Sequence, residues 1–338
     1  MKHSEMMGDG YLFESARVRA LENSLIGKER IERLLEAGNL DRCLALLSEF
    51  GVEIARDPES GAFQREKTLG ARLRAAYDEL FQYAPDAEFL KLWRYPYDCN
   101  NVKAAIKCRK RGVDCREMLF DFCEISGDEI VRIVEQNRFE ELPEAFAEAA
   151  KEASEGFYKT ANPQFVDLIL DRACYRAMLE AAERSGSDFA VRIVKMKIDL
   201  INLTVCVRLL RMNSGEAGKG MLRSALLEGG TLSRSYLSDL YDVGESALWE
   251  RLSYSEYRGF AQRVGGAEAT LTEVETAADN AFMDAVTEAK LIPYGDAPLI
   301  GYLLASEYEV RNLRIILAGF GIGLPSHTVR ERIRNSYV

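Results

Sequence analysis

Histidine is scarce: His3 and His327 are the only two among 338 residues, too few and too far apart for a zinc pattern. Proline is limited to 8, and beside abundant Ala, Leu, Glu and Arg this favours helix over strand. No stretch approaches the roughly 20 apolar residues of a bilayer-spanning helix. The nearest, 313–324, is short and carries Arg314 and three glycines. Residues 1–11 contain Lys2, Glu5 and Asp9 and lack the apolar core of a signal peptide. The seven cysteines (Cys43, Cys99, Cys108, Cys115, Cys123, Cys174 and Cys206) are odd in number, scattered and without a CxxC. Reduced thiols in a soluble intracellular protein are therefore expected, not a disulfide framework. Positive charge is also in deficit: 44 Lys+Arg against 54 Asp+Glu leave −10, which excludes the basic footprint of a general nucleic-acid binder. With 47% hydrophobic residues the chain has ample material for a core and is not disordered.

What is present is helical periodicity. Residues 11–25 place Leu12, Val18, Leu21 and Leu25 near one side, and Ile31-Leu34-Leu35 with Leu40-Leu44-Leu47 predict a short helical pair broken at Gly38-Asn39. Longer helices are predicted over 69–83, 165–184 and 272–290, and 189–212 reads as one continuous helix. The short stretches around Ile54 and Ile125 read as loop. No sustained alternation of the kind a half-buried strand needs occurs, so the fold class is all-α.

A repeat organises these helices. Asp98-Cys99-Asn100-Asn101-Val102 has counterparts in Asp199-Leu200-Ile201-Asn202-Leu203 and Glu309-Val310-Arg311-Asn312-Leu313. Each is an acid, two residues, Asn and a branched aliphatic; Asn101 and Asn202 lie 101 residues apart, Asn202 and Asn312 110. An amphipathic helix precedes each copy, and a short helical pair precedes that (31–50, 129–146, 226–252). Three similar subdomains, 1–112, 113–215 and 216–338, each about the size of a small domain, are expected in a pseudo-threefold arrangement.

Within a helix the acid and the Asn share a face. Because Asn weakens a helix interior, three matched copies need a reason. Helix N-capping suits Asp98, which follows Tyr95-Pro96-Tyr97, but not Asp199 inside a continuous helix. A buried polar pair holding neighbouring helices in register is the favoured reading for Asp98, Asn101, Asp199, Asn202, Glu309 and Asn312; a shared interface surface is the other.

Other segments imitate active sites. Asn213-Ser214-Gly215-Glu216-Ala217-Gly218-Lys219-Gly220 lacks the first Gly and the Ser/Thr of a P-loop and reads as a flexible linker. Gly319-Phe320-Gly321-Ile322-Gly323 follows a helix, not a strand, and reads as a helix stop. Acidic pairs such as Glu140-Glu141 and Asp57/Glu59 have no His, Cys or Ser partner at supporting spacing and read as solvated surface. Arg109-Lys110-Arg111 reads as a solvated helix end in preference to a lipid-headgroup contact. No catalytic, metal or cofactor residue is predicted.

The repeat motifs resemble the C subunit of the rotary V/A-type ATPases, known as the d subunit in the eukaryotic vacuolar enzyme. The resemblance runs over nearly the whole chain, through Ala16-Arg17-Val18-Arg19-Ala20-Leu21-Glu22, Tyr97-Asp98-Cys99-Asn100-Asn101-Val102-Lys103, Asp199-Leu200-Ile201-Asn202-Leu203, Leu227-Glu228-Gly229-Gly230-Thr231-Leu232 and Tyr302-Leu303-Leu304-Ala305-Ser306-Glu307-Tyr308-Glu309-Val310-Arg311-Asn312-Leu313-Arg314. Lys107-Cys108-Arg109-Lys110-Arg111 departs from it, since copies two and three have no such basic stretch. The resemblance implies an all-helical funnel of three subdomains that form one family domain. The funnel would sit on the membrane rotor ring of proteolipid subunits at the cytoplasmic face and receive the lower end of the central stalk. Such a protein couples rotation in H⁺ or Na⁺ transport, has no catalytic activity or cofactor, and associates with the membrane only through the ring. With −10 overall, the cavity mouth is expected to be acidic. The rival reading is a helical-repeat scaffold that gathers other proteins, but solenoids repeat every 20–45 residues, far below this period.

Overall fold

The computed structural model describes residues 11–56, 63–84, 87–120, 122–212, 215–266 and 268–338. Residues 1–10, Asp57, Glu59, Asn213 and Ser214, on which some of the expectations above fall, lie outside them. Among the described residues the chain is all helix and turn; a single isolated bridge, Arg56 with Phe63, stands in place of sheet.

The chain divides into two compact units, Met1–Pro85 with Ser246–Val338, and Asp86–Glu245. The third Asn motif falls in the first unit and the other two copies fall in the second.

Among the described residues the first unit begins with α1 (Leu12–Leu21), α2 (Lys28–Glu36), α3 (Leu40–Glu49) and α4 (Arg65–Tyr83). The predicted break between α2 and α3 has the expected chemistry. Gly38 takes φ 71°, and the Asn39 side chain accepts the Arg42 N–H at 3.0 Å to start α3. α4 buries Leu69, Leu73, Ala76, Tyr77 and Leu80, one stripe at helical spacing.

The second unit contains α5 (Glu88–Lys91), α6 (Tyr95–Arg111), α7 (Gly127–Gln136), α8 (Glu144–Thr160), α9 (Pro163–Ser185), α10 (Asp188–Arg211), α11 (Gly215–Ala225) and α12 (Arg234–Val243). α9 lies at its centre, packed on α6, α8 and α10, with Ala173, Ala177, Ala181 and Ala182 among its buried residues. The approach to α8 is close enough that a Cβ on Gly156 would stand 1.8 Å from the Phe165 ring.

Two expectations are corrected in this unit. Asp98 does not start a helix: α6 begins at Tyr95 with Pro96 in its first turn, which places Asp98 inside it. The segment read as a flexible linker is helical from Gly215 onward. Packing of α11 on α10 and α12, with Leu222 buried, outweighs the poor propensity of its three glycines.

The first unit resumes with α13 (Glu245–Leu252), α14 (Arg258–Val264), α15 (Leu271–Thr287), α16 (Asp296–Gly321) and α17 (Ser326–Arg330). α15 starts with a capping box between Thr270 and Glu273. α16 buries 19 of its 26 residues, as a helix surrounded by others must, and packs on α1, α4 and α15. It stops at Gly321, with Gly323 at φ 76°, as the glycine run predicts.

Candidate functional site

All six motif residues are buried, none more than 6% exposed. They do not bond to one another across helices. Each Asn instead grips one residue of a distant loop by both of its backbone groups. Asn101 Nδ2 donates to the Phe120 carbonyl at 2.8 Å while its Oδ1 accepts the Phe120 N–H at 2.9 Å. Asn202 holds Leu227 in the same way at 3.0 and 2.8 Å, and Asn312 holds Arg334 at 2.9 and 2.9 Å. A primary amide suits this task, since it offers a donor and an acceptor side by side.

The acid three residues earlier, on the same helix face, tethers the next part of the loop. Asp199 accepts the N–H groups of Thr231 at 2.7 Å and Leu232 at 3.1 Å. Asp98 accepts those of Glu124 at 3.4 Å and Ile125 at 3.3 Å. In both copies these are the fourth and fifth residues after the gripped one. The next residue is a serine that caps a helix: Ser126 accepts from Glu129 N–H and starts α7, and Ser233 accepts from Tyr236 N–H and starts α12. Motif, loop and next helix form one device, and the two copies share it bond for bond.

In the third copy the gripped Arg334 lies four residues before Val338, and the acid bonds elsewhere. Glu309 reaches back to the segment before α2 and accepts the Ile26 N–H, one residue before Gly27 caps that helix. The Val338 carbonyl accepts the Lys28 N–H at 2.8 Å. Two segments far apart in the chain thus supply what a continuous loop supplies elsewhere. Glu309 also takes a hydrogen bond from Arg72 of α4. Burial by itself would lower the Arg72 guanidinium, but the bond and charge of Glu309 outweigh it and leave Arg72 raised. Nearby, Asp279 of α15 receives Tyr308 Oη at 2.9 Å, Arg334 Nε at 3.0 Å and the Arg311 guanidinium at 2.9 Å. Burial, with Asp279 alongside, pushes the Tyr308 hydroxyl well above its ordinary value.

Sequence reasoning singled out the motif residues but missed their partners, as well as Arg72 and Asp279. Two signals were available. Gly229-Gly230 stands inside the second loop, and a Cβ on Gly230 would fall 2.1 Å from Asp199 Oδ1. Ser126 and Ser233 also follow their motifs in sequence.

Lys219 of the P-loop imitation, on α11, donates to Asp242 at 2.5 Å. Lys107, Arg109 and Lys110, near the end of α6, have partners within the chain. Lys107 pairs with Asp167 at 2.5 Å, Arg109 donates to the Val134 carbonyl and Asn137 Oδ1 at 2.6 Å each, and Lys110 donates to the Tyr158 carbonyl at 3.2 Å. A cavity of about 340 Å³ is lined by Cys108, Arg109, Cys115, Arg116 and Glu135, and one of about 510 Å³ by Lys28, Glu32, Asp284, Arg330 and Ser336. In the first, burial pushes the Cys115 thiol up to about 11, away from the range of a reactive thiolate. Among the described residues no group of His, Cys, Asp and Glu is placed to hold a metal, and no helix is long and apolar enough to cross a membrane. All seven cysteines are free thiols, six of them buried.

Residues 15–332 match the family model described as ATP synthase (C/AC39) subunit. The chain is 25% identical to the C subunit of the A-type ATP synthase of Thermococcus kodakarensis, over 95% of this chain and 89% of that protein. It is 26% identical to the protein of the same name from Halorubrum lacusprofundi, over 94% and 95%. It is 22% identical to the C subunit of the V-type sodium ATPase of Enterococcus hirae, over 95% and 97%. With nine-tenths of its length under one family model, and the repeated motif helices inside that span, the chain belongs to the ATP synthase (C/AC39) subunit family.

Proposed function

We propose that this chain is the non-catalytic rotor subunit of a V/A-type ATPase or ATP synthase: a socket that couples the central stalk to the membrane rotor ring. The relatives are C subunits of A-type ATP synthases and of a V-type sodium ATPase, and their family is accessory to the catalytic subunits. The observation that carries the reading is the triple clamp. A part that transmits torque must resist deformation, and close-packed helices with their loops bonded down at both backbone groups are stiff.

On this reading three similar subdomains, 1–112, 113–215 and 216–338, surround a pseudo-threefold axis. The Asn grip common to the three motifs supports it. The chain binds at the cytoplasmic face through the ring and meets the stalk at an acidic mouth, so stalk binding weakens moderately as salt rises. The decisive test is reconstitution with stalk, ring and catalytic subunits. ATP hydrolysis should move ions only when this chain is present; full coupling in its absence would refute the role. A scaffold that merely gathers partners would change the yield of assembly and leave the coupling of assembled complexes unchanged.

A further inference from the structure

The three acids of the clamps are not held alike. Glu309 has the Arg72 guanidinium beside it, and Asp199 has two short amide bonds, of 2.7 and 3.1 Å. Asp98, only 2% exposed, has two long ones, of 3.3 and 3.4 Å, and among the described residues it forms no ion pair. The two loops differ in sequence. Counted from the gripped residue, Cys123 occupies the position that Gly230 holds in the second copy. There a Cβ would collide with the carboxylate, so the glycine lets Asp199 close on its amides. In the first copy a side chain stands at that place, and its sulfur is occupied with Asn101 Nδ2 at 3.3 Å.

Among the described residues the charged groups facing Asp98 are few. Glu124 adjoins it in the loop and pairs with Arg94, before α6, at 3.3 Å. The charges that α9 turns toward α6, Asp171 and Asp167, are matched by Lys103 and Lys107 further along the helix. α7 buries Ile130, Val131, Ile133 and Val134, and α8 sets Phe146 against Tyr95.

We propose that the first clamp is a proton-operated latch: charged Asp98 holds the amides of Glu124 and Ile125, and protonated Asp98 releases them while Asn101 keeps its grip on Phe120. Burial raises the Asp98 carboxyl to about 7; the two amides and Arg94 pull it down, and the charge of Glu124 pushes it up. Because the amides favour the charged form, taking up a proton must weaken them. The latch loosens as pH falls through neutrality, whatever complex the chain serves.

Hydrogen exchange on the full chain, corrected for intrinsic rates, tests this between about pH 8 and about pH 5.5. Protection at residues 124 and 125 should drop about three- to tenfold on acidification, while residue 120, held by the non-titrating Asn101, stays level. Asp98→Asn, neutral throughout, should show the low protection at every pH. An equal drop at residue 120, or a pH dependence that persists in Asp98→Asn, would overturn the latch. Should Asp98→Asn fail to fold, Cys123→Gly serves in its place. Removing that Cβ should let the carboxylate close on its amides and move the midpoint to lower pH, and an unmoved midpoint counts against the proposal.

Discussion

Asn202 holds Leu227 by both ends of one peptide residue, donating to its carbonyl at 3.0 Å and accepting its N–H at 2.8 Å. The two residues are 25 apart in the chain, and Asn202 is only 1% exposed, so no water stands ready to replace either bond. The same relation joins Asn101 to Phe120 and Asn312 to Arg334. It gives the motif a structural task that is independent of any partner.

Asn202→Leu keeps the volume and orphans both groups of Leu227. The expected loss is about 2–4 kcal/mol, one desolvation penalty for each buried group. It should appear as a lower urea midpoint with an unchanged slope, before any loss of assembly with partner subunits. Blocked assembly at an unchanged midpoint would make the motif an interface instead.

Two glycine substitutions should move in opposite directions. Gly230→Ala drives a Cβ into Asp199 and should cost about 1–3 kcal/mol. Gly220→Ala, inside α11 with nothing near its Cβ position, should add about 0.5–1 kcal/mol from helix propensity. Thermal unfolding of the pair, measured side by side, checks both signs.

Removing residues 334–338 should unfold the first unit more than its length suggests. It deletes the residue Asn312 grips, the Val338 carbonyl over α2 and Tyr337, which is 4% exposed with its hydroxyl 3.2 Å from Glu22. A loss on the order of 4 kcal/mol follows from one large buried side chain and the orphaned partners. Limited proteolysis should then cut within α2 and α16, where the full chain resists.

Asp98 also sets a sign for stability against pH. Its folded value of about 7 lies above its ordinary 3.8, so the folded state binds the proton more tightly than the unfolded chain. The resulting cost is present in full above about 7 and is relieved as pH falls toward the ordinary value. Wild type should therefore gain urea stability relative to Asp98→Asn between about pH 8 and about pH 5.5, even as the loop itself exchanges faster. A difference that does not change with pH would contradict the assignment.

The buried thiols should be silent in the native state. Burial pushes Cys43 and Cys206 up to about 12, and both are fully inaccessible. A thiol reagent at neutral pH should label them only on the timescale of unfolding, and fast labelling without unfolding would show these sites to be open.

Much of this architecture was legible in the sequence because it rests on local patterns. The stop at Gly38-Asn39, the stripe of α4 and the end of α16 follow from residues within a turn or two of one another. The acid and Asn were legible as a shared face, because spacing of three in a helix requires it. Their partners were not, because a loop 19–25 residues away can meet a helix anywhere along its length. The 215–225 segment misled for a related reason: glycine content predicts chain flexibility, and only the neighbouring α10 and α12 make a helix there worthwhile.

By itself, then, the sequence determined an all-helical chain with a motif written three times, since helical period and repetition are properties of residue order. The tertiary structure decided what the motif does, because a buried amide or carboxylate takes its role from the backbone groups that folding brings to it. It also decided that Asp98 stands near its titration point, because folding buries that carboxylate.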